Sequence, residues 1–271
     1  MTYVKFTVVN KAMNSVYYDW PLILAYHSVS PHRTDMLAVH PDEFAFQLGW
    51  LARHGYRSMT LADFCQQNIP YGERIVIITF DDGYEDNYVY AWPILNQFGF
   101  VATFFLVSNF VGEDMVYSWD EDRIITHQKR SWYRLLNWEQ IHEMEAAGME
   151  FGSHTRAHHN LTSLDAEHFR DEIEKSRVDL ARHLGRIVSF CYPRGDFNDS
   201  IMDAVEQAGY QWAVVTPPRT GIPLNQFALR RVGIYRTTTR PLFWIKLLPF
   251  VRRYNEQMRC MLKNIFQFIS A

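Results

Sequence analysis

Two carboxylates stand side by side at the end of an apolar run, Ile77-Ile78-Thr79-Phe80-Asp81-Asp82-Gly83, and two histidines four apart follow a second one, in Gly152-Ser153-His154-Thr155-Arg156-Ala157-His158. Paired aspartates are costly if buried without partners, so a compensating cation is expected. One carboxylate oxygen and two imidazole nitrogens suit Zn²⁺ or another divalent transition metal, with a fourth position left for water. Asp82, His154 and His158 are therefore assigned as the ligands. Water bound there has its pKa lowered towards ~7 and can attack a carbonyl carbon. Asp81, adjacent but aimed elsewhere, is the base that accepts the proton. Each half alone has a bland explanation: Asp-Asp-Gly as a loop turn, the histidines as solvated imidazoles. The metal is favoured because both halves sit just past a strand.

Positioning these residues requires strands that end together. Arg74–Phe80, rich in Ile and Val, reads as an inner parallel strand covered on both faces. Pro21–Val29, Val101–Val107, Met149–Ser153, Ile187–Tyr192, Trp212–Thr216 and Leu229–Tyr235 read as further strands. Between them, helical spacing predicts a helix from Pro41 that carries Phe44, Leu48 and Leu51 and stops at Gly55. Asn87–Phe98, Trp138–Ala147, Asp165–Leu184 and Asp199–Gln207 are predicted as helices too. Strand alternating with helix implies an α/β protein with a parallel sheet. Asp81, Asp82, His154, Pro193 and Arg194 all fall just after strand C-termini, the face on which such a barrel carries its active site. Residues 110–136 form a long irregular segment, a length that is often functional.

A chain of 271 residues, 48% hydrophobic, is enough for one large domain, and a net charge of -3 gives no electrostatic case for nucleic acid. Cys65, Cys191 and Cys260 are scattered and odd in number, so no disulfide framework is implied. The first residues lack a basic stretch followed by an apolar one, and no run reaches the length of a membrane span; the default expectation is a cytoplasmic protein. Residues 1–20 read as an extension, 21–240 as the barrel domain and 241–271 as a tail. The tail opens on Pro241-Leu242-Phe243-Trp244-Ile245-Lys246-Leu247-Leu248, with Arg252 and Arg253 beyond. It has two readings: an interfacial helix giving peripheral membrane contact, or a closing helix packed on the barrel.

The motifs resemble those of the NodB-type polysaccharide deacetylases, carbohydrate esterases that remove N-acetyl groups from amino sugars. Thr79-Phe80-Asp81-Asp82-Gly83 matches the first motif, whose first Asp is the base and second a metal ligand. Gly152 to His158 matches the second, and Cys191-Tyr192-Pro193-Arg194-Gly195 occupies the place of the third. The similarity runs from about Leu22 to Tyr235. It implies an irregular (β/α) barrel of about seven parallel strands in a single domain, an N-acetylated glycan as partner, and acetate as product. Tyr26-His27-Ser28, with Tyr-Pro-x-Gly later, resembles the subgroup acting on poly-N-acetylglucosamine.

Departures from the family pattern matter. The arginine that usually opens the third motif and orients the base is here Cys191. Arg194 stands where an aromatic is common, and its backbone N–H matches the oxyanion donor. No histidine follows His183, so the late Leu-x-His acid is missing. His27 is then either the acid near the metal or a core histidine. Trp119, Trp132, Tyr133 and Tyr192 are assigned to substrate binding. Some of Trp119, Trp132, Tyr133 and Trp138 are expected to line a glycan groove by stacking on sugar rings, with packing on the barrel at least as good an explanation for Trp138. His159 is expected to be solvated. Two other functions compete: the same chemistry on a non-sugar C–N bond, and a non-catalytic glycan binder.

Overall fold

The structure is a computed structural model and describes residues 21–67, 69, 72–124, 130–216 and 225–248. β1 (Leu22–Tyr26) breaks at His27 and resumes as β2 (Ser28–Val29), which pairs with β3 (Ala38–Val39) in a small separate sheet. β4 (Arg57–Ser58) joins the start of β5 (Ile75–Phe80). β5 lies parallel to β1 on one side and to β6 (Thr103–Leu106) on the other. β7 (Glu150–Ser153), β8 (Ser189–Cys191) and β9 (Trp212–Val215) follow in turn, each parallel to its predecessor.

The predicted last strand is two. β10 (Leu229–Arg230) pairs with β9, whereas β11 (Val232–Gly233) pairs with β1. The chain thus crosses at Arg231 from one edge of the sheet to the other, and seven strand positions close into an irregular barrel.

Strand alternation sorts the side chains into two cores. Ile23, Ile77, Phe105, Cys191, Trp212 and Val214 fill the barrel. Leu24, Ile78, Phe80, Phe104, Phe190 and Tyr192 turn outward to the helices, each large apolar side chain contributing ~1.5–3 kcal/mol on burial. The helix Leu61–Gln66, missed in the sequence, plugs the end where the strands begin. Its Leu61 joins the inner core, and the Leu61 and Ala62 amides donate to Thr103 Oγ1 and Glu150 Oε2, both 3.0 Å. Chemistry is left to the opposite mouth.

The outer helices Pro41–Arg53, Trp138–Ala146, Ala166–Leu184 and Asp199–Gln207 are capped by His40, Asn137, Asp165 and Asn198. Asn87–Phe98 is not one regular helix: a π-helical turn, Asn87–Ala91, precedes Trp92–Gln97. Pro93 has no N–H to donate to the preceding turn, which fits the wider winding there. The helix Arg240–Leu247 packs on Pro41–Arg53, with buried Phe243 edge-on to Trp50 at 6.2 Å and Arg240 bonded to Glu43. Leu242, Trp244, Ile245 and Leu248 stay exposed. The extension 1–20 and the rest of the tail lie outside the described residues. Among the described residues, no helix is long and apolar enough to cross a membrane.

Candidate active site

Asp81 continues the inward parity of Ile77 and Thr79, and the chain then turns sharply, with φ +71° at Asp82 and +68° at Gly83. That turn separates two adjacent carboxylates into different roles. Asp82 Oδ1 lies 3.5 Å from His154 Nε2 and 3.5 Å from His158 Nε2. His154, just past β7, donates from Nδ1 to the Cys191 carbonyl at 2.8 Å, so its Nε2 lone pair faces Asp82. His158 comes from a tight loop in which Thr155 and His158 themselves have φ of +67° and +59°. The three donor atoms lie within 4.8 Å of one another.

Electrostatics at these side chains fit a cation. Burial, then the charge of Asp81, pushes the Asp82 carboxyl well up. Burial pushes both histidines down, leaving neutral imidazoles, the form that ligates. Among the described residues, Asp82 forms no ion pair with Lys or Arg. A buried carboxylate and two neutral imidazoles with converging lone pairs suit a divalent transition metal. Asp81, His154 and Cys191 also converge, but Asp81 is bound to an arginine and burial holds the Cys191 thiol protonated.

That arginine is Arg231, the main feature the sequence reasoning missed. Its NH1 and NH2 donate to the two oxygens of Asp81 at 2.7 and 2.6 Å, in the fork geometry that suits a carboxylate. It is itself held by Thr79 Oγ1 at 2.9 Å, Thr216 Oγ1 at 2.6 Å and Cys191 Sγ at 3.1 Å. Cys191 leaves room where the family pattern places an arginine, and the seam of the barrel supplies one instead. Burial raises the Asp81 carboxyl, but Arg231 outweighs it and holds the group well below the usual carboxylate range. His27, at the break after β1, places Nε2 3.8 Å from Asp81 Oδ2. Burial brings its pKa down to about 4 against the pull of Asp81.

Other predicted site residues are dispersed. Arg194 has φ +59° and an exposed side chain, in a turn where Gly195 packs so closely that a Cβ there would lie 2.2 Å from the Thr216 carbonyl oxygen. Trp119 packs on His158 at 4.6 Å and on Tyr117 at 4.2 Å, and Tyr117 donates to the Asp82 carbonyl at 2.6 Å. Trp132 stacks on His32 at 5.2 Å. Tyr133 is buried, its ring 4.4 Å from the Arg33 guanidinium, which also lies over Tyr84 at 4.1 Å and donates to Asp35 at 2.9 Å. Tyr192 is buried between barrel and helices, stacked on Phe197, with its hydroxyl donating to the Phe227 carbonyl at 3.0 Å. Its strand parity turns it away from the mouth, so neither Tyr133 nor Tyr192 is brought to the metal donors. Trp138 stacks on His183 at 3.8 Å, and His159 turns to Glu172 at 3.2 Å rather than to the donors.

Fold and site define a parallel barrel with a buried Asp-His-His cluster that could hold a metal ion at its C-terminal mouth and a second carboxylate held apart. The polysaccharide deacetylase family model matches residues 68–213. YxkH of Bacillus subtilis (strain 168) is 32% identical over 219 residues, covering 78% of this chain and 70% of that protein. The poly-beta-1,6-N-acetyl-D-glucosamine N-deacetylase of Staphylococcus aureus (strain MRSA252) is 27% identical over 211 residues, covering 73% and 68%. Among solved structures, the Streptococcus pyogenes deacetylase PplD in complex with acetate superposes with a TM-score of 0.68 at 24% identity, over 84% of this chain and 98% of that one. IcaB from Ammonifex degensii gives 0.66 at 24%, over 87% and 96%. The chain belongs to the polysaccharide deacetylase family.

Proposed function

We propose that this protein is a metal-dependent hydrolase that removes the N-acetyl group from an amino sugar in a cell-surface polysaccharide or its intermediate, releasing acetate and a free amine. The observation that carries the reading is the pair of carboxylates in separate roles: Asp82 facing two imidazole nitrogens at 3.5 Å, Asp81 gripped by Arg231. Asp82, His154 and His158 would hold Zn²⁺ or another divalent ion. Such an ion, when bound, acidifies water and polarises an acyl oxygen.

Asp81 takes the proton from the water that attacks the acetamide carbon. Held by Arg231 below the usual range, it is a weak base, so the transfer depends on water that the ion would acidify. His27, with a pKa of about 4, is neutral near pH 7 in the free protein and has to gain its proton during turnover. The protonated Asp81, 3.8 Å away, is the adjacent source, and His27 passes the proton to the departing nitrogen. The Arg194 N–H serves as an oxyanion donor. Half-buried Trp132, stacked on His32, offers a ring for sugar stacking; Tyr133 and Tyr192 are buried, and Trp119 packs on His158 and Tyr117.

Acetate release from β-1,6-linked N-acetylglucosamine oligomers, with and without chelator and with Asp81→Asn, tests the scheme. Activity that survives both treatments refutes it. Peripheral membrane contact through 241–271 belongs to the same proposal, supported by exposed Leu242, Trp244, Ile245 and Leu248. Trp244→Ser combined with Ile245→Ser should reduce co-sedimentation with anionic vesicles, and unchanged partitioning removes that part.

A further inference from the structure

His154 and His158 are fixed by different means. His154 is oriented through its own ring, by the bond from Nδ1 to the Cys191 carbonyl. His158 Nδ1 is buried without a hydrogen-bond partner among the described residues. Its position therefore depends on the backbone that carries it and on ring packing against Trp119 and His154. That backbone is unusual, because Thr155 and His158 are both non-glycine residues in the left-handed region. Such conformations persist only where the surroundings over-determine them.

The surroundings do so here, amide by amide. Thr155 N donates to Ser153 Oγ at 3.2 Å and His158 N to Thr155 Oγ1 at 3.0 Å. The carbonyls of Thr155 and Arg156 accept from Ser108 N at 3.1 Å and Asn109 N at 3.0 Å. The two remaining amides, Arg156 N and Ala157 N, both donate to one atom, Glu172 Oε2, at 3.1 and 2.8 Å. Its other oxygen accepts from His159 Nδ1 at 3.2 Å. Glu172 is a buried carboxylate on the inward face of Ala166–Leu184, beside Phe169, Ile173 and Ser176, and Ser176 is hydrogen-bonded to Ser153. The helix thus grips the strand and the loop on either side of His154. A buried acid is an expensive way to pack a helix, and what this one meets is the ligand loop.

We propose that Glu172 is a positioning residue of the metal centre, setting how tightly the site holds a divalent ion by fixing the loop that presents His158. The inference rests on the function proposed above. Outer-shell groups of this kind change metal affinity by about 10–100-fold.

The test is the Zn²⁺ dissociation constant of the full chain, read by chelator competition, with the visible spectrum of the Co²⁺-loaded protein as a second readout. Glu172→Ala should weaken Zn²⁺ binding by about 10–100-fold and alter the Co²⁺ spectrum. Glu172→Gln keeps an acceptor oxygen but not the charge that strengthens its bonds, so about 3–10-fold weakening is expected. His159→Ala and Glu174→Gln, the latter on the exposed face of the same helix, should stay within about twofold. Affinity and spectrum unchanged in Glu172→Ala overturn the proposal. If that variant lacks a cooperative thermal transition, Glu172→Gln decides, and affinity equal to wild type overturns it. A wild-type chain that binds no ion overturns the functional reading itself, an outcome distinct from a wild type that binds and a variant that binds equally.

Discussion

Asp81 is ionised where burial favours protonation, and the two hydrogen bonds from Arg231 reverse that preference. Its folded pKa therefore lies below the unfolded value of ~3.9. The ionised group adds stability above that pH, and the contribution is lost as pH falls through the depressed folded value. Arg231→Met leaves a buried carboxylate without its partner, a change that costs about 3–5 kcal/mol. Asp81 then titrates above its unfolded value, so on acidification the variant gains from this group a stability that wild type does not gain from it. Urea unfolding should show a deficit that narrows from pH 8 to pH 5, and the acid limb of acetate release should move to higher pH. Arg231→Lys should recover little, because one ammonium cannot reproduce the fork. An acid limb that stays in place in both variants would remove Arg231 from control of the base.

Elements reveal why some of this was readable and some not. The β5 run and the strand before His154 are short apolar stretches ending in polar residues, so their ends, and hence Asp81, Asp82 and His154, were visible from local pattern. Leu229–Tyr235 looks like one strand because nothing local marks the point where its partner changes. That point is set by barrel closure, and it hid Arg231, whose partner lies 150 residues away. The break at His27 was likewise buried in the apolar run Pro21–Val29. Tyr192 is different: alternation with inward Cys191 was available and would have turned it outward. Gly152 also carries a prediction. A Cβ there would lie 2.8 Å from the Phe105 ring and 2.8 Å from the Ser189 carbonyl oxygen, so Gly152→Ala overpacks the junction of three strands two residues before His154. The expected cost is about 1–3 kcal/mol, with weaker metal retention. Thermal unfolding and metal content measure both, and a variant melting with wild type would show that β7 has room to shift.

For the whole molecule, the barrel's two ends differ in what they require. The plugged end is satisfied within the chain, since Glu150 accepts from Ala62, Thr103 and Ser189. The open mouth instead gathers a carboxylate that burial and Asp81 drive towards protonation, beside two imidazoles that burial keeps neutral. Positive charge that binds only the folded arrangement should stabilise the whole barrel, by about 2.7 kcal/mol at a hundred times its dissociation constant. At about 2–4 °C per kcal/mol for a chain of this size, chelation should lower the melting temperature by roughly 5–10 °C. Asp82→Asn removes one ligand and also the buried acid. It should therefore show no response to chelator, yet melt at or above the metal-free wild type. Calorimetric scans of both proteins, each with Zn²⁺ and with chelator, separate the two effects. A chelator response that persists in Asp82→Asn would place the stabilising ion somewhere other than between Asp82, His154 and His158.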